Sequence, residues 1–229
     1  KHGAFVSLPG NGISHHVHKE GFTKPGQTLI GCDSHTPTSG GAGMLAIGVG
    51  GMDVAAGMAT GAYTFTMPEI VGVKLSGKLK AWSTAKDVIL DILRRIDVDG
   101  GKGKILEFFG DGVKTLDVSQ RSTIANMGAE TGATTTIFPS DSQTKMFFSA
   151  EQRTKDFISL DADKQAHYAD IIDINLYEIE PLIACPHSPG KIKPVREVAG
   201  IEVAQSIIGS STDSSYESMM RAALMLDKK

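Results

Sequence analysis

The chain has 229 residues, enough for one large domain or two small ones with a buried core. A hydrophobic content of 41% and a charged content of 21% are typical of a soluble globular protein, and a net charge of −3 gives no reason to expect nucleic acid or an anionic membrane as a partner. No apolar run approaches the roughly 20 residues that a transmembrane helix needs.

The chain contains two cysteines, Cys32 and Cys185. So few thiols argue against a disulfide scaffold and favour a reducing compartment, from which we expect a cytoplasmic protein. Two thiols also cannot supply the three or four ligands that an iron–sulfur cluster normally takes from cysteine.

The first third of the chain is rich in glycine and carries five of the seven histidines. Clustered histidines can bind zinc, but on a strand the neighbours His15 and His16 point to opposite faces, and no cysteine or carboxylate pair completes a closed site around them and His18. We therefore assign no metal ligand here. We expect instead that one of these histidines pairs with Asp33.

An acid, a hydroxyl and an imidazole follow one another at Asp33, Ser34 and His35, between the apolar residues 28–30 and a glycine-rich turn. A strand that ends in such a turn gathers functional side chains at one spot, and a carboxylate beside an imidazole gives an acid or base usable near neutral pH. This pattern predicts proton transfer on a small polar substrate. A capping aspartate beside a surface histidine explains the same tripeptide, and the residues alone leave both explanations open.

Strands and helices alternate along the rest of the chain, which predicts an α/β layer architecture. Serines 83, 119 and 140 are placed to cap helices, and residues 181–194, with four prolines, are the best linker candidate. We expect a turn and helix over 43–61, strands over 70–75, 105–109, 134–138, 171–177 and 205–208, and helices over 84–96, 119–131, 215–226 and briefly after residue 140.

Three further patterns have both a functional and a structural explanation. Asn126 and Glu130 share one helix face, which is either a solvated face or a pair directed into a buried polar pocket. Residues 41–46 match a dinucleotide-binding fingerprint, but a lone match is weak and packing glycines explain it better. Residues 209–215 either cradle an anion between a strand and a helix or form a serine-rich helix cap.

Taken together, these segments resemble the aconitase and isopropylmalate isomerase family of hydro-lyases, and most closely the compact single-chain aconitate hydratases. Several long motifs in the same order are far more specific than any one of them. The resemblance implies three-layer α/β/α domains: residues 1–68 as the C-terminal part of a first α/β domain, 69–193 as a second, and 194–229 as the start of a third. The matching segments are residues 9–15, 31–38, 48–54, 124–135, 184–189 and 209–217.

The resemblance also implies a reaction, the interconversion of citrate and isocitrate through cis-aconitate, with a tricarboxylate or related hydroxy acid as substrate. In the family a 4Fe–4S cluster acts as a Lewis acid that eases loss of the substrate hydroxyl as water. Six residues take roles by resemblance: His15 and Asp33 as an active-site pair, Ser34 as a substrate contact, His35 as the imidazole beside the leaving water, and Asn126 and Glu130 as the pair that lies against the cluster.

The sequence departs from the family motif G-S-C-T-N-S, because Ser211 stands at the position of the first cluster cysteine and Asp213 at that of the asparagine. A serine alkoxide binds iron much less well than a thiolate, and the family's paired cysteines and substrate-binding arginines are not in this chain. We therefore expect an interior fragment or partial subunit, inactive and without a cluster by itself, whose missing domains lie on the same or another chain. The alternative is a cluster-free relative that binds RNA or a partner protein.

Overall fold

The computed structural model describes residues 3–227. Within this range the strands form a two-stranded parallel sheet, a four-stranded parallel sheet and a two-stranded antiparallel hairpin, and helices connect and cover them. The expected α/β fold class is confirmed. None of the described helices is both long and apolar enough to cross a bilayer.

The first sheet pairs β1 (Thr28–Gly31) with β2 (Leu45–Gly48) in parallel. Helix α1 (Ser14–Gly21) precedes it, and helix α2 (Gly51–Thr60) follows it. A buried 3-10 helix, Thr36–Ala42, connects the two strands and packs on the helices of the second sheet.

The second sheet is parallel throughout and has four strands: β3 (Glu69–Ser76), β4 (Lys104–Phe109), β5 (Thr135–Ile137) and β6 (Asp170–Asn175). Their order is β5-β4-β3-β6, so β5 and β6 lie at the edges. Helices α3 (Ala85–Ile96), α4 (Val118–Gly128) and α5 (Ser142–Ala150) follow β3, β4 and β5 in turn.

The core lies between this sheet and helices α3 and α4. Helix α3 packs an apolar face against the core, with Ile96 at its end partly buried, and Phe108 of β4 stacks on Phe138 with ring centroids 4.3 Å apart. Burial of this face stabilises the helix, because a twelve-residue helix is only marginally stable alone. The fully buried α3 residues are Val88, Ile89, Ile92 and Leu93.

The predicted helix caps are each displaced by one or two residues. At α3 the cap is Thr84, which exchanges hydrogen bonds with Asp87, while the hydroxyl of Ser83 donates to the carbonyl of Ile179. Aspartate and threonine side chains can also accept hydrogen bonds from the first N–H groups of a helix, so a serine near the start of a helix does not identify the capping residue. The caps are Thr84, Asp117 and Asp141 instead of Ser83, Ser119 and Ser140.

Two predicted elements are wrong, and a third is incomplete. Residues 181–194 are not a linker but an antiparallel hairpin of β7 (Leu182–Ala184) and β8 (Ile192–Pro194). Residues 205–208 form no strand and lead into the short helix α6 (Ser210–Asp213), which α7 (Tyr216–Asp227) follows. The segment 43–61 contains strand β2 in addition to the predicted turn and helix.

Candidate active site

The histidine run lies on helix α1, not on a strand, so its side chains spread over a helix surface. His15 Nε2 lies 2.9 Å from Asp33 Oδ1, which is the kind of contact that the sequence predicts for one of these histidines. The backbone N–H of His35 donates to the same carboxylate oxygen at 2.7 Å. This N–H and the neighbouring His15 hold the pKa of Asp33 below its ordinary value, so the carboxylate stays ionised at neutral pH.

The ring of His35 is held on both sides. Its Nδ1 lies 3.0 Å from the backbone carbonyl oxygen of Asn126, and since a carbonyl only accepts, Nδ1 carries the proton. Its Nε2 faces Glu130 Oε1 at 3.6 Å. The His15 and His35 ring centroids are 6.4 Å apart, so two histidine–carboxylate pairs converge on one place.

The side-chain amide of Asn126 is fully buried and makes three hydrogen bonds, two as donor and one as acceptor. Its Nδ2 donates to Thr38 Oγ1 at 2.8 Å and to Ser211 Oγ at 3.0 Å, and its Oδ1 accepts from Thr212 Oγ1 at 2.7 Å. The amide therefore joins α4 to the 3-10 helix and to α6.

Helix α1 makes two further contacts that the sequence did not indicate. His16 Nε2 lies 2.9 Å from the carbonyl oxygen of Ser211, and burial lowers the pKa of His16. His18 Nδ1 lies 3.2 Å from the hydroxyls of both Thr23 and Ser39. His15, His16 and His18 thus tie α1 to the turn at Asp33, to the segment of Ser211 and to the 3-10 helix, respectively. The sequence did contain one indication of a helix here, because His15 and His18 are three residues apart and residues at this spacing share one face of a helix.

The structure brings together five of the six predicted site residues through direct contacts or through adjacent rings. Ser34 lies on the same turn as Asp33 and His35, with its side chain exposed. Gly48 is required at the end of β2, because a Cβ there would lie 2.7 Å from the carbonyl oxygen of Asp33. The five residues are His15, Asp33, His35, Asn126 and Glu130.

Residues 1–200 match the sequence profile of the Aconitase family (aconitate hydratase). The chain belongs to the aconitase family. Its resemblance to that family is thereby confirmed over most of its length.

Curated relatives extend the match. The chain is 43% identical to the mitochondrial aconitate hydratase of Saccharomyces cerevisiae, an alignment that covers 94% of the chain and 30% of the relative. It is also 43% identical to the mitochondrial aconitate hydratase of Schizosaccharomyces pombe, an alignment that covers 94% of the chain and 29% of the relative. It is 42% identical to the mitochondrial homocitrate dehydratase of Saccharomyces cerevisiae, with 93% of the chain and 29% of the relative covered. The chain therefore spans about three tenths of the length of these relatives.

The cytoplasmic location expected from the cysteine count is wrong by this comparison, because these relatives are named as mitochondrial proteins. A low cysteine count argues against a disulfide scaffold but does not choose among the compartments in which such scaffolds are rare.

The site's donor chemistry does not fit the iron–sulfur cluster that the family uses. The groups around Asn126 are hydroxyls, imidazoles and carboxylates, and Ser211 Oγ already accepts a hydrogen bond from the amide. Iron–sulfur clusters are held by thiolates. Among residues 3–227 no three or more histidine, cysteine, aspartate and glutamate side chains are grouped so as to hold a metal ion.

Proposed function

We propose that this chain supplies the acid–base part of a hydro-lyase site that acts on a hydroxy-tricarboxylate such as citrate. The observation that carries the proposal is the convergence of the His15–Asp33 and His35–Glu130 pairs, whose imidazole rings lie 6.4 Å apart. Membership of the aconitase family supports the reaction class.

Loss of water from a hydroxy acid requires a proton on the departing hydroxyl, because hydroxide is a poor leaving group. His35 is the candidate acid. Its Nδ1–H is fixed by the Asn126 carbonyl, so Nε2, the nitrogen that faces Glu130, is the one that exchanges a proton with the substrate. Glu130 orients this ring.

The second pair has a different task. Asp33 is ionised, accepts from the backbone N–H of His35 and lies in contact with His15 Nε2, so it couples the two histidines. We assign His15 to removal of the proton from the carbon next to the one that bears the hydroxyl, so that the electron pair of this C–H bond forms the double bond as the hydroxyl leaves as water with the proton from His35. The exposed hydroxyl of Ser34 donates to a substrate carboxylate. Asn126 acts here by holding α6 beside the two pairs.

We further propose the domain division 1–68, 69–193 and 194–229. The first sheet lies within the first range and the four-stranded sheet within the second, while α6 and α7 lie within the third. By itself the chain does not turn over citrate, because Ser211 offers a hydroxyl at the position where the family motif has a thiolate.

A segment exchange with a relative tests the proposal. The matching 30% of the Saccharomyces cerevisiae mitochondrial aconitate hydratase is replaced by this chain, and the chimera is assayed for interconversion of citrate, cis-aconitate and isocitrate. We expect little activity from the chimera with Ser211 and restored activity from Ser211→Cys. Ser210→Cys is the matched control, since it adds a thiol one residue away.

Two results would contradict the proposal. The first is turnover of citrate by the isolated 229-residue chain. The second is a folded Ser211→Cys chimera that binds citrate and remains as inactive as the Ser210→Cys control.

A further inference from the structure

Arg153 lies outside the active site, in the turn after α5, and its guanidinium binds the end of α1. Its Nη1 donates to the carbonyl oxygen of Glu20 at 2.6 Å and its Nη2 to that of Thr23 at 2.7 Å. Its Nε donates to Asp156 Oδ2 at 3.0 Å. One planar group therefore binds a carbonyl in the last turn of α1 and a second one two residues beyond the end of the helix.

The guanidinium itself is held rigidly. It lies over the ring of Phe148, 5.1 Å from the centroid, and Phe148 is fully buried. Asp156, which fixes Nε, is fixed in turn by Lys24 Nζ at 3.0 Å. Arg153 thus connects the packed end of α5 to α1.

Helix α1 needs such an anchor. It has only eight residues, and Ile13, the residue that precedes it, provides no side-chain cap. Helices of this length are not stable alone, and a cation near the C-terminal carbonyls is favourable because of the helix dipole. At 1.5 Å per residue, His15 stands roughly 8 Å along the axis from the carbonyls that Arg153 holds, so a tilt at one end displaces the other.

The remaining contacts of α1 depend on the same anchor. His18 bonds the hydroxyls of Thr23 and Ser39, and these two hydroxyls bond each other at 3.0 Å. Thr23 is the residue whose carbonyl Arg153 holds. Loss of the guanidinium therefore loosens both the end of α1 and the partner of His18.

We propose that Arg153 is a positioning residue: by holding the C-terminal carbonyls of α1 it sets the contact between His15 and Asp33. The contact itself is a property of the structure, and only its catalytic meaning rests on the proposed function.

NMR titration of the full 229-residue chain tests this. Arg153→Met is compared with wild type, with Arg153→Lys, which keeps the charge but not the planar fork, and with Lys155→Met as the control, since Lys155 is a neighbouring exposed cation. In Arg153→Met we expect the His15 ring nitrogen signals to lose the signature of the hydrogen bond, and the carboxyl pKa of Asp33 to rise toward its ordinary value. The lysine variant should change both in the same direction by less, and Lys155→Met should change neither.

The titration of His18 provides an internal check. Burial chiefly lowers the pKa of His18, and the charge of Arg153 lowers it further, so this pKa should rise in the methionine variant and stay low in the lysine variant. If Arg153→Met does not fold, Arg153→Lys tests the inference, because it should still change the His15 ring nitrogen signals and the pKa of Asp33, by a smaller amount.

A folded Arg153 variant that is less stable, yet has wild-type His15 signals and a wild-type Asp33 titration, would overturn the inference and leave Arg153 a purely structural residue. In the active Ser211→Cys chimera we expect Arg153→Met to lower kcat about a hundredfold, since small misplacements of a catalytic group have effects of that size. Failure of the chimera would refute the proposed function without touching the NMR result.

Discussion

Replacement of Asn126 by leucine tests whether its buried amide holds α6 at the active site. Leucine has a similar volume, so the change removes hydrogen bonds without leaving a large cavity. Three are lost, to Thr38, Ser211 and Thr212, and each contributes about 0.5–1.5 kcal/mol net. We expect a loss of about 2–4 kcal/mol in the free energy of unfolding, a large part of the ~5–15 kcal/mol typical of a domain.

Urea unfolding measures this loss, and hydrogen exchange locates it. Exchange should accelerate in Ser210–Asp213, the residues of α6, while α3 keeps its protection. The matched control is Asn175→Leu, which removes a surface contact to Glu178 and should cost less than about 1 kcal/mol. The reasoning is refuted if Asn126→Leu costs no more than the control and α6 exchanges as in the wild type.

Three further predictions concern the same region. Lys19 is 2% exposed and burial lowers its pKa, so Lys19→Met should raise the free energy of unfolding by about 1–2 kcal/mol at neutral pH. Urea unfolding at several pH values should show this difference shrinking as pH rises toward the unfolded pKa of ~10.4, because the lysine of the wild type then loses its charge. Gly48→Ala should cost about 1–3 kcal/mol by thermal unfolding, since its Cβ meets Asp33, whereas Gly51→Ala has free space and should not destabilise. In His15→Gln, NMR should show the pKa of Asp33 rising only part of the way to its ordinary value, because the backbone N–H of His35 still donates to it.

The four-stranded sheet and its helices could be predicted from local pattern. Strand β3 is a short apolar run with a buried centre, bounded by turn residues, and α3 repeats apolar residues at helical spacing, so the local sequence indicates the type of each element. The cap at α3 could also have been found, because Thr84 and Asp87 form the three-residue spacing of a capping box.

Elements that depend on distant partners could not be predicted in this way. Strand β2 consists of small and apolar residues and becomes a strand by pairing with β1. The hairpin of β7 and β8 contains prolines at positions that suggested a linker, but Pro194 ends β8, where a missing N–H costs little. Tertiary pairing decides both cases.

In the candidate site, too, local contacts could be predicted from the sequence and contacts between distant residues could not. The contact between Asp33 and a nearby histidine was predicted from the residues, whereas the roles of both residues came from the family resemblance and stay proposals. The contact of Asn126 with Ser211 joins residues 85 apart in sequence, and nothing local signals it. Arg153 looks like a surface residue in the sequence, and only the fold brings it to α1.

The most direct test of the acid role of His35 is turnover of the Ser211→Cys chimera with His35 replaced by glutamine. Loss of a general acid should lower kcat by about 10²–10⁴-fold, whereas His167→Gln, in an exposed loop, should leave kcat unchanged. Equal rates for these two variants would contradict the account.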